Sequence, residues 1–259
     1  MMPDFLNSIV EVGLVISLYM TIVFIIALMR KDNSIVDVAW GMGFIIIAVY
    51  TIIQSGEVDL RKMIVSLLVL LWGLRLSFHI MVRSSGKGED FRYKAWRDTW
   101  KYFIPRSFFQ IFMLQGLFML IISTPIWFIN SGKGGPLGPW DSLGLLVFGT
   151  GFLVEVIADY QLVDFKKNPE NKGKLMTTGL WAASRHPNYF GEALVWWGIS
   201  FYALSFQHGW YTLVSPVVIT LMLRFVSGVP MLEKKQGTHP DWAIYKSGTA
   251  AFVPYIKFL

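Results

Sequence analysis

Ser184-Arg185-His186-Pro187-Asn188-Tyr189-Phe190-Gly191-Glu192 stands where a lysine-bearing loop runs straight into an apolar segment. Read as structure, it is the start of a helix entering an oily environment. Pro187 suits the first turn, where its missing N–H costs nothing. Asn188 adds an amide, Gly191 admits another backbone or a ligand, and Glu192 carries a carboxylate into the helix. Free N–H groups at a helix start, flanked by Arg185 and His186, suit an anionic ligand. The plainer alternative is an interfacial cap whose Arg185 and His186 face lipid headgroups. Such a cap needs neither Asn188 nor Glu192.

The apolar segment that follows is one of about seven, each close to the roughly 20 residues that a membrane-spanning helix requires. They cover Phe5–Met29, Ser34–Ile53, Met63–Val82, Phe108–Ile129, Leu143–Val163, Tyr189–Phe206 and Trp210–Met231. The 259 residues are 54% hydrophobic and 16% aromatic, with a mean hydropathy of +0.50, too oily for an ordinary soluble domain. The expectation is an all-α, multi-pass membrane helical bundle forming a single domain over residues 1–259. The first run lacks a basic n-region and a small-residue cleavage site, so it reads as a span and not a cleaved signal peptide.

Basic residues alternate between the connections. Arg30 and Lys31 lie in the first. Arg83, Lys87, Arg92, Lys94, Arg97, Lys101 and Arg106 lie in the third. Lys166, Lys167, Lys172, Lys174 and Arg185 lie in the fifth, and Lys234, Lys235, Lys246 and Lys257 in the tail. The opposite side has only Arg61, Lys62 and Lys133. Cationic loops stay in the cytoplasm, which predicts an N-terminus outside and a C-terminus inside, as an odd number of spans requires. The same pattern accounts for the pI of about 9.4 without nucleic acid. There is no cysteine, and the four histidines are scattered without metal-ligand spacing, so no metal is expected. Gly86-Lys87-Gly88 and Gly41-Met42-Gly43 lack the third glycine and preceding strand of a dinucleotide fingerprint.

Ionisable groups within spans are costly and mark candidate sites. Asp37 opens the second span, with Trp40, Gly41 and Phe44 on its face. Trp72, Arg75 and His79 share a face of the third. Gln110 and Gln115 fall in the fourth, Glu155, Asp159 and Tyr160 in the fifth, Asn188 and Glu192 in the sixth, and Arg224 in the seventh. Most lie toward the basic-loop side, which suggests a pocket open to the cytoplasm and not a pore or proton path. Mutual neutralisation, with Arg75 and Arg224 pairing Asp37, Asp159 or Glu192, is the structural alternative. Gly86-Lys87-Gly88-Glu89-Asp90-Phe91-Arg92-Tyr93 reads as a glycine-loosened loop carrying both signs of charge.

With these residues assembled, the chain over about 145–259 resembles the steroid 5-alpha-reductase and sterol-reductase group of membrane enzymes. The resemblance rests on Asp159-Tyr160, Lys166, Gly179-Leu180-Trp181, the block from Arg185 to Glu192, Leu223-Arg224, Glu233 and Tyr245. The whole chain also looks like a bacterial family of undefined membrane proteins grouped with those reductases. Isoprenylcysteine carboxyl methyltransferases carry a similar Arg-His-Pro block. Asn188 with Glu192 and Asp159-Tyr160 favour the reductases.

The resemblance implies reduction of a carbon–carbon double bond in a membrane-soluble sterol by NADPH, at a cytoplasm-facing site in a bacterial inner membrane. Residues 1–140 would form the substrate side and 141–259 the cofactor-binding portion. Cofactor contacts would fall on Asp159, Lys166, Asn188, Tyr189, Glu192 and Arg224, with Arg75 and Arg83 from the third span. Arg185, His186, Glu233 and Tyr245 complete that set. The extra 2′-phosphate of NADPH calls for several cations. The substrate-polarising glutamate and tyrosine of the reductases do not align securely. Asp37 occupies a similar place, Trp72 falls where the tyrosine is expected, and Tyr93 is a substitute.

The chemistry expected is hydride transfer to a 3-oxo-Δ4 steroid or related lipophilic enone, because conjugation makes the β-carbon electrophilic. A hydrogen bond to the developing enolate lowers the barrier further. Asp37, kept protonated in an apolar site, is the expected donor. The rival is an S-adenosylmethionine-dependent membrane methyltransferase, whose cationic cofactor would not need Lys166, Arg83 and Arg224 together. A transporter or lipid-binding protein is a third reading, opposed by the lack of an internal repeat.

Overall fold

A computed structural model describes residues 2–255, with side chains from Asn7 onward, so the expected tail cation Lys257 lies outside the described residues. The described chain is helical, with no strand beyond a single parallel bridge between Ser184 and Ala250. Six helices are long and apolar enough to cross a membrane: Asn7–Arg30, Ile35–Gln54, Leu60–Ser84, Phe103–Ile122, Pro139–Lys167 and Gly209–Gln236. The seventh expected segment forms a 17-residue helix, Pro187–Ala203, at the short end of what a bilayer of about 30 Å accepts. The fourth span begins earlier than expected and ends at Ile122. Pro125 cannot continue a helix, and Thr124–Ser131 starts a new one.

The chain divides into two compact units, Met1–Leu137 with Ser205–Thr212, and Gly138–Leu204 with Leu213–Leu259. In the first unit, α1 (Met2–Arg30), α2 (Ile35–Gln54) and α3 (Leu60–Ser84) are the long helices. They are followed by α4 (Phe91–Thr99), α5 (Phe103–Ser107), α6 (Leu114–Ile122) and α7 (Thr124–Ser131), with a π-helical stretch at Phe108–Met113. Helices α2 and α3 meet where Gly41 and Gly73 put backbone against backbone. Phe44 and Trp72 pack edge-on beside them, both fully buried. Asp59 caps α3 by accepting from the N–H groups of Arg61 and Lys62 at 2.8 and 3.2 Å. Both cations are themselves buried. Arg61 donates to the Pro136 carbonyl at 2.7 Å and lies over Phe206, while Lys62 donates to the Glu57 carbonyl at 2.9 Å. Apolar side chains such as Leu14 and Leu18 face outward, 65% exposed, as helices surrounded by lipid require.

The second unit contains α8 (Pro139–Lys167), α9 (Leu180–Ala183), α10 (Pro187–Ala203), α11 (Val214–Leu221), α12 (Val229–Gln236) and α13 (Trp242–Gly248). Met222–Val226 is π-helical. Glycines seven residues apart on α8 (Gly144, Gly151) face glycines seven apart on α10 (Gly191, Gly198). A Cβ on Gly191 would stand 2.6 Å from the Gly151 carbonyl oxygen and the Glu155 nitrogen, so small residues permit this seam. Gly191 therefore serves a neighbouring backbone. Pro187 opens α10, and the Ser184-Arg185 stretch before it is stitched to the C-terminal segment. The Arg185 N–H donates to the Ala250 carbonyl at 2.8 Å, and the Ser184 hydroxyl to the Phe252 carbonyl at 2.8 Å.

Candidate functional site

Asp37 lies in the first turn of α2, and two side chains of α4 converge on it. The Arg92 guanidinium donates to Oδ2 at 2.6 Å, and the Tyr93 hydroxyl donates to Oδ1 at 2.6 Å. Both carboxylate oxygens accept. Asp37 is thus held as an acceptor, where donation of a hydrogen bond was expected, and its cation is Arg92 where Arg75 was the structural alternative. Tyr93 is 3% exposed, with Gln115 close enough to act on the same phenol. Burial, reinforced by the Asp37 carboxylate, pushes the Tyr93 hydroxyl well above its ordinary range. The phenol therefore keeps its proton and is a donor.

Around this pair lies a polar collar. Asp90 caps α4, accepting from the Arg92 N–H at 3.0 Å and from Arg92 Nε at 2.8 Å. Arg97 grips Glu89 through Nε and Nη2 at 2.8 and 2.7 Å. Glu89 also accepts from the Asn33 N–H at 2.8 Å. Burial raises the Glu89 carboxyl, but Arg97 and the Asn33 N–H outweigh it and hold the group below the usual carboxylate range.

The second unit gathers another cluster before α10. Arg185 is 6% exposed; its Nε and Nη2 donate to Glu233 Oε1 at 2.8 and 2.7 Å. Nη1 donates to the carbonyls of Lys246, at 3.0 Å, and Thr249. His186 is 1% exposed, stacks on Tyr189 and stands 3.5 Å from Glu233 Oε1. Burial outweighs Glu233 and brings its pKa down to about 4, so the ring is neutral at physiological pH. The Tyr245 hydroxyl donates to the Trp181 carbonyl at 2.6 Å. Beside these, the Asn188 amide donates to Asp159 Oδ1 at 3.1 Å, with Asp159 and Glu192 both buried. Arg224 sits in the π-helical stretch, half-buried over Phe225, and its charge reaches His186. Among the described residues it forms no ion pair.

Of the residues expected in the site, the second unit therefore joins Asp159 to Asn188, and Arg185 to His186 and Glu233, with Tyr189 on the histidine. Lys166 is exposed at the end of α8. The guanidinium of Arg185 is engaged on all three nitrogens, so it organises the chain around the cluster. The first unit holds Asp37 against Tyr93. Trp72 instead packs against Phe44 in the α2–α3 contact, so the phenol that reaches Asp37 is that of Tyr93. Arg75 is half-buried on α3, and Arg83 is exposed near its end, acting electrostatically on Asp90. Sequence reasoning missed the roles of Arg92, Glu89, Arg97 and Asn33. The available signal was Asp90 standing as a helix cap before Phe91, with opposite charges a helical reach beyond. A cleft of about 320 Å³ near the end of α8 is lined by Tyr160, Gln161, Asp164, Asn168, Asn171 and Thr178. Its charged lining group is Asp164, which makes it a poor seat for phosphate.

Six apolar helices and two largely buried polar clusters describe a chain built as a multi-pass integral membrane protein. The chain belongs to the family described as "Protein of unknown function (DUF1295)", whose model matches residues 23–249. It is 27% identical over 218 residues to an uncharacterized protein of Schizosaccharomyces pombe, covering 74% of this chain and 63% of that one. It is 36% identical over 76 residues to a probable O-methyltransferase of Ustilaginoidea virens, 29% of this chain and 27% of that one. It is also 44% identical over 55 residues to a steroid 5-alpha-reductase of Gossypium hirsutum, 21% of each chain. In each case the chain covers less than two thirds of the relative. No solved structure matches.

Proposed function

We propose that this protein is a membrane oxidoreductase that transfers hydride from NADPH to the conjugated C=C of a lipophilic enone, of the 3-oxo-Δ4 steroid type. The observation that carries the reading is the Tyr93–Asp37–Arg92 constellation. It offers a buried phenol that keeps its proton, next to a carboxylate whose charge Arg92 balances. Such a donor can shift its hydrogen bond to a carbonyl oxygen as negative charge develops there. Asp37 then orients the phenol, and Arg92 keeps the aspartate from drawing the proton away.

The residues of the second unit fit the cofactor chemically. Arg224 is a half-buried cation without an ion pair among the described residues, and Lys166 lies within the same unit, which suits phosphate groups. Asp159, Asn188 and Glu192 offer acceptors and an amide for ribose hydroxyls and the carboxamide. Tyr189 offers a ring, and Arg185, His186, Glu233 and Tyr245 hold the local backbone in place. Bound NADPH would supply the hydride.

A methyltransferase using S-adenosylmethionine is the second reading, favoured by the 36% identity over 76 residues to the probable O-methyltransferase. The half-buried Arg224 weighs against a cationic sulfonium. We further propose seven spans with α10 as the short one, the N-terminus outside, and the cofactor site facing the cytoplasm of a bacterial inner membrane. With Arg61 and Lys62 bound to carbonyls, Lys133 is the exposed cation expected on the outer side, which sharpens the charge asymmetry.

The test is thermal stability of the protein in nanodiscs with each cofactor. A ligand bound by the folded state alone raises stability with the logarithm of its concentration over Kd. NADPH is expected to raise the melting temperature, Arg224→Ala to remove that rise, and S-adenosylmethionine to have no effect. The reverse preference would hand the site to the methyltransferase reading.

A further inference from the structure

The helix that carries Arg92 and Tyr93 is poorly fixed by its own backbone. It has nine residues, too few to be stable alone. Before it, Gly86 and Gly88 adopt left-handed φ values of 74° and 68°, with open space where a side chain would be. After it, Tyr102 is also left-handed, at φ 57°. Neither flank of α4 therefore continues its helix.

Side chains at the N-terminal end restrain it. Arg97, two turns into α4, reaches back to Glu89 with a two-pronged grip, and Glu89 is fastened to the α1–α2 turn through the Asn33 N–H. A planar fork on a carboxylate fixes direction as well as distance, which a single contact would not. The neighbouring Asp90 N–H lies 3.4 Å from the Ser34 hydroxyl, a far looser tie. Arg97 also lies over the Phe103 ring at 4.4 Å, which pins its guanidinium from the other side.

We propose that Glu89 and Arg97 are positioning residues, whose ion pair holds α4 on the α1–α2 turn so that Tyr93 stands against Asp37. The inference rests on the reading of Tyr93 as the carbonyl donor. Neither Glu89 nor Arg97 touches substrate; they act through the phenol. Misplacing a reacting group by about 1 Å can cost on the order of 100-fold in rate. Glu89→Gln is therefore expected to lower kcat for enone reduction between about 10- and 100-fold, with KM for NADPH unchanged. Arg97→Lys, which keeps the charge but loses the fork, should do the same if Glu89→Gln fails to fold.

A double-mutant cycle with Tyr93→Phe decides the matter, with hydrogen exchange at α4 as a second readout independent of turnover. The expected result is that Glu89→Gln costs nothing further in the Tyr93→Phe background and that exchange across Phe91–Thr99 rises. An equal loss of rate in both backgrounds, or unchanged exchange, would overturn the positioning role. If the wild-type protein reduces no enone at all, the proposed function fails instead. In that case exchange at α4 alone decides whether the ion pair holds the helix.

Discussion

Asp37 and Glu233 face the same problem, a carboxylate placed away from bulk water with an arginine to balance it, and the two units solve it differently. Glu233 and Arg185 have side-chain exposures of 14% and 7%, and Arg185 also binds two backbone carbonyls and lies over Trp242. Every polar atom of that guanidinium serves the fold. Asp37 and Arg92 are more accessible, at 23% and 27%, and the phenol that completes the group arrives on a nine-residue helix flanked by left-handed residues. A cluster that locks chain segments together resists rearrangement. One that is more open to solvent and carried on a short helix has fewer ties to break when a partner is exchanged. The difference marks the Arg185 clasp as architecture and is what the chemistry proposed for the first unit rests on.

The contrast breaks most visibly at Arg185. Arg185→Ala leaves a largely buried Glu233 carboxylate without its main partner and should destabilise the protein by about 3–5 kcal/mol. Arg185→Lys should fail to rescue it, because one ammonium cannot serve a carboxylate and two carbonyls at once. Chemical or thermal unfolding in detergent measures both. A mild loss for Arg185→Ala would return Arg185 to the set of available ligand contacts.

A second test compares the glycines. Gly191→Ala would drive a Cβ into backbone atoms at 2.6 Å that cannot yield. It should cost about 1–3 kcal/mol, as overpacking does. Gly43→Ala in the first unit meets chiefly the flexible end of Met119 and should cost less. Thermal unfolding of the two variants side by side checks the order.

The smallest effect is in pH. With His186 depressed to about 4 from 6.5, the unfolded chain binds the extra proton first as the solution acidifies. The stability this group contributes is therefore present above about 6.5 and drains away as the pH falls toward 4. Glu89, whose carboxyl is held below its usual range, contributes stability above about 4.3 and loses it only at more acidic pH. A pH series of unfolding with His186→Gln should flatten the upper window and leave the lower one. Flattening of neither would dissociate these groups from acid sensitivity.

Much of the fold was legible because lipid imposes a simple rule: apolar runs of sufficient length become helices. Pro187 marked the start of α10. The breaks were less visible. Pro125 ended the fourth span early, and the π-helical stretches at Phe108–Met113 and Met222–Val226 leave no periodic signal. Contacts across long separations were hidden altogether. Arg92 meets Asp37 across 55 positions, and Arg185 meets Glu233 across 48, distances that no helical period encodes. Trp72 was attractive as a partner for Asp37 because it falls where the reductases' tyrosine is expected. The packing of Phe44 and the glycine contact at Gly73 instead give that position to the core.

Donation from Tyr93 to a developing enolate is tested most directly by NADPH oxidation by the purified protein in nanodiscs supplied with progesterone. Wild-type protein should oxidise NADPH in step with reduction of the steroid double bond. Tyr93→Phe should lose about 10²–10³-fold in kcat, as when an oxyanion donor is removed, while NADPH still stabilises the variant. Equal turnover by wild type and Tyr93→Phe would contradict the account.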